Sequence, residues 1–286
     1  MKRLLVAGAG GMTGSELTRQ ARDAGWHVAA LSRAELDITD PAAVDNAVRN
    51  AAPDVVINAA AYTAVDDAEG DRLTAMSVNC DGAANLARAA GQAEAIIVHI
   101  STDYVFDGES TRPYVPDDTV GPLSVYGESK LAGEEAVRIH NPNHVIVRSS
   151  WVYSNSGKNF VRTMLRLARA GEEIRVVDDQ YGSPTSAHDL AAALLRVAAV
   201  AVDGSSPGGT YHFSNSGVTT WYGFATAIFE EKLDTLPTVR PITTADFPTA
   251  ARRPRYSVLD SGTFTSVFGV QPRPWREALR MTLESM

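Results

Sequence analysis

The chain is poor in cysteine and has no long apolar run. Cys80 is the one cysteine among 286 residues, so no disulfide can form within the chain and stability does not depend on an oxidising compartment. No stretch approaches the roughly 18 apolar residues that a membrane-spanning helix needs. The apolar run at residues 4–7 ends in glycines and is too short for the core of a signal peptide. We therefore expect a soluble cytoplasmic protein without a membrane partner.

Positive charge is also scarce. The 26 lysines and arginines are outnumbered by 34 acidic residues, which gives a net charge of −8 and predicts no affinity for nucleic acid. The six histidines show no metal-ligand spacing, so we predict no catalytic metal. A bound phosphate would have to be held by local features, such as a helix N-terminus or a few arginines.

Short apolar runs alternate with helical patterns through the first half of the chain. Asp40 and Pro41, for example, are a typical N-cap and first residue of a helix. Such alternation predicts an α/β fold, a Rossmann-type doubly wound parallel sheet covered by helices on both faces. The predicted strands are residues 4–7, 28–31, 55–58, 96–100 and 145–148.

The alternation loosens after Trp151, where prolines and loops become more frequent. We expect residues 1–150 to form an NAD(P)-binding Rossmann domain, interleaved with later segments. Residues 151–286 are then mainly a smaller C-terminal α/β lobe that binds substrate. We place this lobe over the carboxyl edge of the sheet, where open α/β sheets bind their ligands.

A glycine turn follows the first predicted strand and precedes a helical pattern. Gly8, Gly11 and Gly14 match G-x-x-G-x-x-G and enclose Met12 and Thr13. Glycines at this spacing permit a tight turn and let the backbone approach a pyrophosphate at the helix N-terminus. The turn therefore predicts a dinucleotide site; a tight turn that binds nothing is the alternative.

The end of the second strand carries the signal for the type of dinucleotide. An NAD-specific site has an acidic residue there, whereas this chain has Ser32 and Arg33. A guanidinium and a hydroxyl suit the 2′-phosphate of NADPH. We predict NADPH as the cofactor, with NADH as the alternative.

Tyr126 and Lys130 lie four residues apart at the start of a helical pattern, which places them on one helical face. A nearby ammonium favours the phenolate, so we predict a lowered pKa for Tyr126 and a tyrosine that can donate its proton. Thr102 adds a hydroxyl in the turn after the fourth strand. An ordinary surface pair is the alternative reading of Tyr126 and Lys130.

Several longer motifs identify a family. The chain resembles the dTDP-4-dehydrorhamnose reductase family, within the extended short-chain dehydrogenases/reductases, over nearly its whole length. The glycine turn and Tyr-x-x-x-Lys are common to the wider superfamily, and the remaining motifs are more specific. The motifs are GAGGMTG at 8–14, STDYVFD at 101–107, VYGESKLAGE at 125–134, RSSWVY at 148–153 and DQYGSPT at 179–185.

The resemblance implies roles for the hydroxyl-rich turn and the helix that follows it. Tyr126 would protonate a ketone oxygen as hydride arrives from the nicotinamide. Lys130 would lower the pKa of Tyr126 and bind the nicotinamide ribose, and Thr102 would hold the carbonyl oxygen. Hydride transfer itself belongs to the cofactor.

The resemblance also implies contacts with cofactor and substrate. Asp37 and Ile38 would contact the adenine, although Asp37 also suits a loop before a helix. The phosphates and ribose would contact Ala61, Tyr62 and Thr63. The nucleotide sugar would contact Thr102, Asp103, Trp151 and Arg253; core packing is the alternative for Trp151 and exposed charge for Arg253.

Some members of the family bind Mg²⁺ at a dimer interface through glutamates. Glu16 fits one such position, but His188 stands where a second glutamate would follow. Both the ion and a homodimer therefore stay open.

The predicted reaction is NAD(P)H-dependent reduction of the C4 ketone of dTDP-4-dehydro-6-deoxy-L-mannose to dTDP-L-rhamnose. One alternative is another nucleotide-sugar 4-ketoreductase of a deoxysugar pathway. The other is a non-catalytic NADP-binding regulatory subunit similar to the methionine adenosyltransferase beta subunit.

Overall fold

A six-stranded parallel sheet forms the centre of the computed structural model, which describes residues 2–171, 173–204 and 208–286. The sheet has the order β2-β1-β3-β4-β5-β10, and all its strand pairs are parallel. The strands are β1 Arg3–Ala7, β2 His27–Leu31, β3 Val55–Asn58, β4 Ile96–Thr102, β5 His144–Ser149, β6 Val152–Tyr153, β7 Ile174–Val177, β8 Tyr181–Gly182, β9 Thr185–Ser186, β10 Gly209–His212, β11 Thr219–Thr220 and β12 Val239–Ile242.

Helices cover both faces of the sheet. Asp40 caps α2 by accepting hydrogen bonds from the backbone amides of Ala42 and Ala43, and Pro41 is the first helical residue, as predicted. The helices are α1 Met12–Asp23, α2 Pro41–Ala51, α3 Val65–Gly70, α4 Arg72–Met76, α5 Gly82–Gln92, α6 Val125–His140, α7 Phe160–Ala170, α8 Ala187–Val202, α9 Trp221–Lys232, α10 Gly262–Phe268 and α11 Trp275–Glu284.

The strand order reverses between β1 and β3. From β1 the chain continues to β2 on one side, and then returns to place β3 on the other side of β1. Open α/β sheets bind ligands in the crevice at such a switch point, beyond the carboxyl ends of the strands. The glycine turn after β1 and the segment after β3 therefore border the expected ligand site.

Among the described residues, the three largest hydrophobic clusters hold the fold together. One lies between the sheet and helices α1, α8 and α10, and includes Leu17 and Leu190. A second lies on the opposite face under α2, α5 and α6, and includes Leu86. The third is made from residues 153–283, including Phe224 and Leu279, and does not involve the central sheet. The later part of the chain thus has a core of its own.

The predicted Rossmann-type α/β fold is confirmed. Strand β10 comes from the later half yet pairs with β5, as expected for interleaved segments. The boundary at residue 150 stays a proposal. The helical pattern over residues 71–90 predicts a single helix, and this prediction is wrong in detail, because a π-helical turn, Ser77–Asp81, separates α4 from α5.

No helix within the described ranges is long and apolar enough to cross a membrane.

Candidate active site

The glycine turn joins two cavities. A Cβ on Gly8, which has φ +80°, would lie 2.5 Å from the backbone nitrogen of Ala60, and one on Gly14 would lie 2.2 Å from the Gly8 carbonyl oxygen. Side chains at these positions would prevent the close approach of β1, β3 and α1. Gly11 lines both cavities, and so do Ala60 and Ala61 at the end of β3. Both cavities therefore open at the switch point of the sheet.

The first cavity, of about 400 Å³, lies on the β2 side. It brings together most of the residues predicted to hold the adenosine half of a dinucleotide. Asp37 accepts hydrogen bonds from the backbone nitrogen and hydroxyl of Thr39 at 3.0 and 2.8 Å. The predicted cofactor-binding residues that line this cavity are Gly8, Gly11, Ser32, Arg33, Asp37, Ile38, Ala61 and Tyr62.

Glu35 was not predicted from the sequence as part of this cavity's surroundings. One of its carboxylate oxygens accepts hydrogen bonds from both the backbone nitrogen and the hydroxyl of Ser32, at 2.8 and 2.7 Å. These bonds, the side-chain one foremost, hold the pKa of Glu35 below its ordinary value. Ser32 therefore donates to a carboxylate beside Arg33, and a 2′-phosphate would have to compete with that carboxylate.

The second cavity, of about 500 Å³, lies beyond the carboxyl ends of β1, β3, β4 and β5. The three predicted catalytic residues, Thr102, Tyr126 and Lys130, all line it. The predicted site residues in this lining are Gly11, Met12, Thr13, Ala61, Thr63, Thr102, Asp103, Tyr126, Lys130 and Trp151.

Tyr126 and Lys130 project from the first two turns of α6. Ser124 caps this helix by accepting a hydrogen bond from the backbone nitrogen of Gly127. Lys130 is 2% exposed, and its Nζ donates to the carbonyl of Ile100 at 2.7 Å. Burial lowers the pKa of Lys130 to about 8. The lysine therefore still carries its charge at neutral pH.

The predicted direction of the Tyr126 pKa is wrong. Burial of the phenolate raises the pKa of Tyr126 to about 12, although a hydrogen bond with the Thr102 hydroxyl opposes this. The Lys130 ammonium does not offset the cost of burying the phenolate, because it is directed at the Ile100 carbonyl. Tyr126 is therefore firmly protonated, as a proton donor needs to be.

A buried polar network supports these residues from behind. His99 lies with its Nε2 3.4 Å from Lys130 Nζ and its Nδ1 3.1 Å from Asn58 Nδ2. Burial, together with the charge of Lys130, lowers the pKa of His99 well below its usual value. His99 is thus a neutral neighbour of the lysine. Its position on a buried strand gave no functional signal in the sequence.

Asn79 fixes the loop after β3. Its side chain accepts from the backbone nitrogen of Tyr62 at 2.8 Å and donates to the Tyr62 carbonyl at 3.1 Å. The same side chain donates to the hydroxyl of Ser129 on α6 at 2.9 Å. The π-helical turn that carries Asn79 therefore ties the predicted phosphate-binding loop to the tyrosine helix.

Asp103 is a buried carboxyl group in the catalytic cavity. It is 2% exposed; Oδ1 accepts from the Thr102 hydroxyl at 3.0 Å, and Oδ2 has no hydrogen-bond partner within the described residues. Burial raises the pKa of Asp103 to about 6, against the lowering effect of the Ser257 and Thr102 hydroxyls. Because Asp103 lines the catalytic cavity, its carboxyl group suits the predicted contact with a sugar hydroxyl.

The raised pKa of Asp103 predicts a specific pH dependence of stability. Between the ordinary pKa of 3.8 and about 6, the folded protein binds the proton more tightly than the unfolded chain does. The free energy of unfolding should therefore fall by up to about 3 kcal/mol as pH rises through this window. Asp103→Asn should match wild type near pH 4 and exceed its stability above pH 6, as measured by urea unfolding. An Asn variant that is less stable at pH 8 would contradict this.

Trp151 is held in a strained position against a second tryptophan. Its backbone has φ +47°, and its ring stacks on Trp221 with centroids 3.6 Å apart and planes 6° apart. A Cβ on Gly182 would lie 2.4 Å from the indole. One face of Trp151 is therefore covered by Trp221, a lining residue that was not predicted from the sequence.

Arg253 is the predicted substrate contact that the structure does not bring into the catalytic cavity's lining. Its guanidinium forms a bidentate ion pair with Asp66, at 3.1 and 2.7 Å, and also donates to the Thr249 hydroxyl. A guanidinium held in this way has few donors left for a diphosphate.

Glu16 and His188, the candidate Mg²⁺ positions, contact each other directly. His188 Nδ1 lies 2.7 Å from Glu16 Oε1, which also accepts from Arg19 and Gln20. Despite partial burial, these hydrogen bonds lower the pKa of Glu16 to about 2. Residues 2–171, 173–204 and 208–286 contain no group of three or more His, Cys, Asp or Glu side chains placed to hold a metal.

A glycine turn at the switch point of a parallel sheet, beside a buried Tyr–Lys pair, is the arrangement of a short-chain dehydrogenase/reductase, a class of nicotinamide-dependent oxidoreductases. The family model of the RmlD substrate binding domain matches residues 1–286. The chain belongs to this family, and the predicted membership is confirmed.

The relatives with similar sequences match this chain over nearly its full length. The chain is 45% identical to the spore coat polysaccharide biosynthesis protein SpsK of Bacillus subtilis, covering 99% of this chain and 98% of that one. It is 46% identical to a dTDP-4-dehydrorhamnose reductase of Mycobacterium tuberculosis, covering 99% and 92%. The crystal structure of dTDP-4-dehydrorhamnose reductase from Bacillus anthracis, in complex with NADP, has a TM-score of 0.94 at 36% identity and covers both chains fully.

Proposed function

We propose that this enzyme reduces the C4 ketone of dTDP-4-dehydro-6-deoxy-L-mannose with NADPH, giving dTDP-L-rhamnose. The observation that carries the proposal is the convergence of Thr102, Tyr126 and Lys130 on one cavity that meets the glycine turn at Gly11. Full-length relatives named dTDP-4-dehydrorhamnose reductase support the substrate.

The residues of the two cavities fit a dinucleotide. The backbone amides at the start of α1 face the cradle that Gly8 and Gly14 keep open, where a pyrophosphate is favoured. Arg33 would pair with a 2′-phosphate, and the NADP bound to the Bacillus anthracis relative supports this form. NADPH supplies the hydride when bound.

Tyr126 supplies the proton. The phenol is neutral at pH 7 and gives its proton to the ketone oxygen as negative charge develops there. The Thr102 hydroxyl holds that oxygen. The Lys130 ammonium turns from the Ile100 carbonyl toward Tyr126 as the proton leaves, and stabilises the phenolate that remains. Asp103 and Trp151 orient the sugar.

The test is direct. The protein is incubated with the proposed substrate, also called dTDP-4-dehydro-L-rhamnose, and with either NADPH or NADH. The absorbance of the reduced cofactor is followed, and the sugar product is identified. We expect turnover with dTDP-L-rhamnose as the product. Turnover with a different product sugar would favour another 4-ketoreductase. Stoichiometric NADPH binding without any ketone reduction would favour a regulatory subunit.

Substitutions at Arg33 and at Glu35 should change the preference for NADPH over NADH in opposite directions. Arg33→Ala should raise the KM for NADPH about tenfold or more and leave that for NADH nearly unchanged, because a charge-assisted contact with the 2′-phosphate is lost. Glu35→Gln should lower the KM for NADPH, because the competing carboxylate charge is removed. Steady-state kinetics with both cofactors measures this, and an equal loss with NADH in Arg33→Ala would contradict the role of Arg33.

The cytoplasmic location and the diphosphate contact of Arg253 stay predictions from the sequence. A homodimer and a bound Mg²⁺ ion stay open, as the sequence left them.

A further inference from the structure

A groove whose charged side chains are all basic lies beside the catalytic cavity. It measures about 560 Å³ and runs along α7, and its lining in the described part of the chain contains no aspartate or glutamate. This is unusual for a protein with a net charge of −8. We call its basic residues the α7 cation row: Lys158, Arg162, Arg166, Arg169 and Lys232.

The helical repeat of α7 sets the arrangement of the arginines in the row. Arg162, Arg166 and Arg169 follow one another at spacings of four and three residues, so they share one face of α7. All three are exposed, and the Nη1 of Arg162 donates to the Asn155 carbonyl at 3.2 Å. The three arginines therefore present their positive charge to solvent.

The groove and the catalytic cavity meet at the start of α7. Lys158 and Asn159 line both of them. Asn159 caps α7, and its amide also donates to the carbonyls of Ser154 and Ser156. Gly157 lies against Met12 of the glycine turn. An anion that moves along the row thus arrives at the mouth of the cavity.

The catalytic cavity needs a cation for a diphosphate, and its lining offers few. Lys130 is buried and directed at a backbone carbonyl, and Arg253 is paired with Asp66. Lys158 is the remaining lysine or arginine among the described lining residues, and it is exposed. It is therefore the best placed to meet the phosphates of a nucleotide sugar.

We propose that the α7 cation row guides the nucleoside diphosphate moiety of the substrate into the cavity, and that Lys158 contacts the diphosphate there. The inference rests on the proposed function, because it assumes a dTDP-sugar substrate. Clefts lined by one sign of charge raise association rates by about 10- to 1,000-fold, and salt screens the effect within roughly 10 Å at 0.1 M.

The test uses charge reversal on the row and dTDP as the probe. The Arg166→Glu/Arg169→Glu variant should bind dTDP about tenfold more slowly than wild type at low salt, and the difference should vanish at high salt. Stopped-flow binding measures the rate without any turnover. The kcat with the dTDP-sugar should be unchanged, with kcat/KM reduced to the same extent as the dTDP association rate.

The matched control is Arg22→Glu/Arg49→Glu. These two exposed arginines lie near the ends of α1 and α2, at the opposite edge of the sheet, and the variant changes the net charge by the same amount. It should bind dTDP at nearly the wild-type rate. Equal slowing in both variants would overturn the proposal, because net charge alone would then explain it. An unchanged dTDP rate with slower NADPH binding would also overturn it.

Lys158→Gln tests the contact itself. It should raise the Kd for dTDP about tenfold at low salt, because a charge-assisted contact with the diphosphate is removed. A Kd equal to that of wild type would refute the contact. The dTDP measurements do not depend on catalysis, so a protein that binds dTDP as described but reduces no dTDP-sugar would refute the proposed function and leave the inference standing.

Discussion

Replacing Tyr126 by phenylalanine is expected to lower kcat by about 10²- to 10⁴-fold, the usual contribution of a positioned proton donor. The phenol lines the catalytic cavity together with Thr102 and Lys130, and it is protonated at neutral pH. Since the ring remains, its edge-to-face contact with Tyr104, at 5.7 Å between centroids, should be kept. The Kd for NADPH should therefore change little.

Tyr104→Phe is the matched control, since it deletes a hydroxyl from a neighbouring tyrosine in the same cavity. It removes at most a hydrogen bond, worth about tenfold or less in rate. Steady-state and single-turnover kinetics compare the two variants. A Tyr126→Phe enzyme that retains wild-type kcat would refute the assignment of the proton donor.

The second large effect concerns stability. Glu134 on α6 is fully buried and forms a bidentate ion pair with Arg148 of β5, which is 3% exposed, with both contacts at 2.8 Å. Its Oε1 also accepts from the Ser101 hydroxyl on β4 at 2.6 Å. Glu134 therefore fastens the helix that carries Tyr126 and Lys130 to two strands of the sheet.

Glu134→Gln should lower the free energy of unfolding by about 3–5 kcal/mol, because it leaves the Arg148 charge buried without a counterion. Urea unfolding at neutral pH measures the loss. The control is Arg138→Gln, which removes a partly exposed pair with the same carboxylate and should cost about 1 kcal/mol or less. A loss below 1 kcal/mol in Glu134→Gln would contradict the role of the buried pair.

The same pair predicts a loss of stability in acid. Burial alone would raise the pKa of Glu134, but the hydrogen bonds and charge of Arg148 lower it overall. A carboxyl group with a lowered pKa stabilises the fold above its ordinary pKa, and this contribution is lost as pH falls through the lowered value.

Local sequence patterns predicted the backbone elements that border the site. Three of the correctly predicted features depend only on residues close together in the chain. They are the glycines after β1, the Asp40–Pro41 cap, and the four-residue spacing of Tyr126 and Lys130. Their consequences follow from backbone geometry and helical periodicity. Strand alternation likewise predicted the parallel sheet, whose carboxyl edge collects the turns that follow β1, β3 and β4.

Contacts between distant segments were beyond such reasoning. Trp221 stacks on Trp151 from 70 positions away, and Arg253 meets Asp66 across 187 positions. The wrong direction for the Tyr126 pKa has the same origin, since the burial of the phenol and the turning of the Lys130 ammonium toward Ile100 depend on tertiary packing. Charge and spacing in the sequence do not determine desolvation.

The central claim is that hydride passes to the C4 carbon of a dTDP-4-keto sugar while Tyr126 provides the proton. It is tested most directly by incubating the protein with dTDP-4-dehydro-L-rhamnose and NADPH deuterated at the nicotinamide C4, and analysing the product by NMR and mass spectrometry. We predict one deuterium, at C4 of dTDP-L-rhamnose, in wild type and a loss of product formation in Tyr126→Phe. Deuterium at another carbon, or no transfer to the sugar in wild type, would contradict the account.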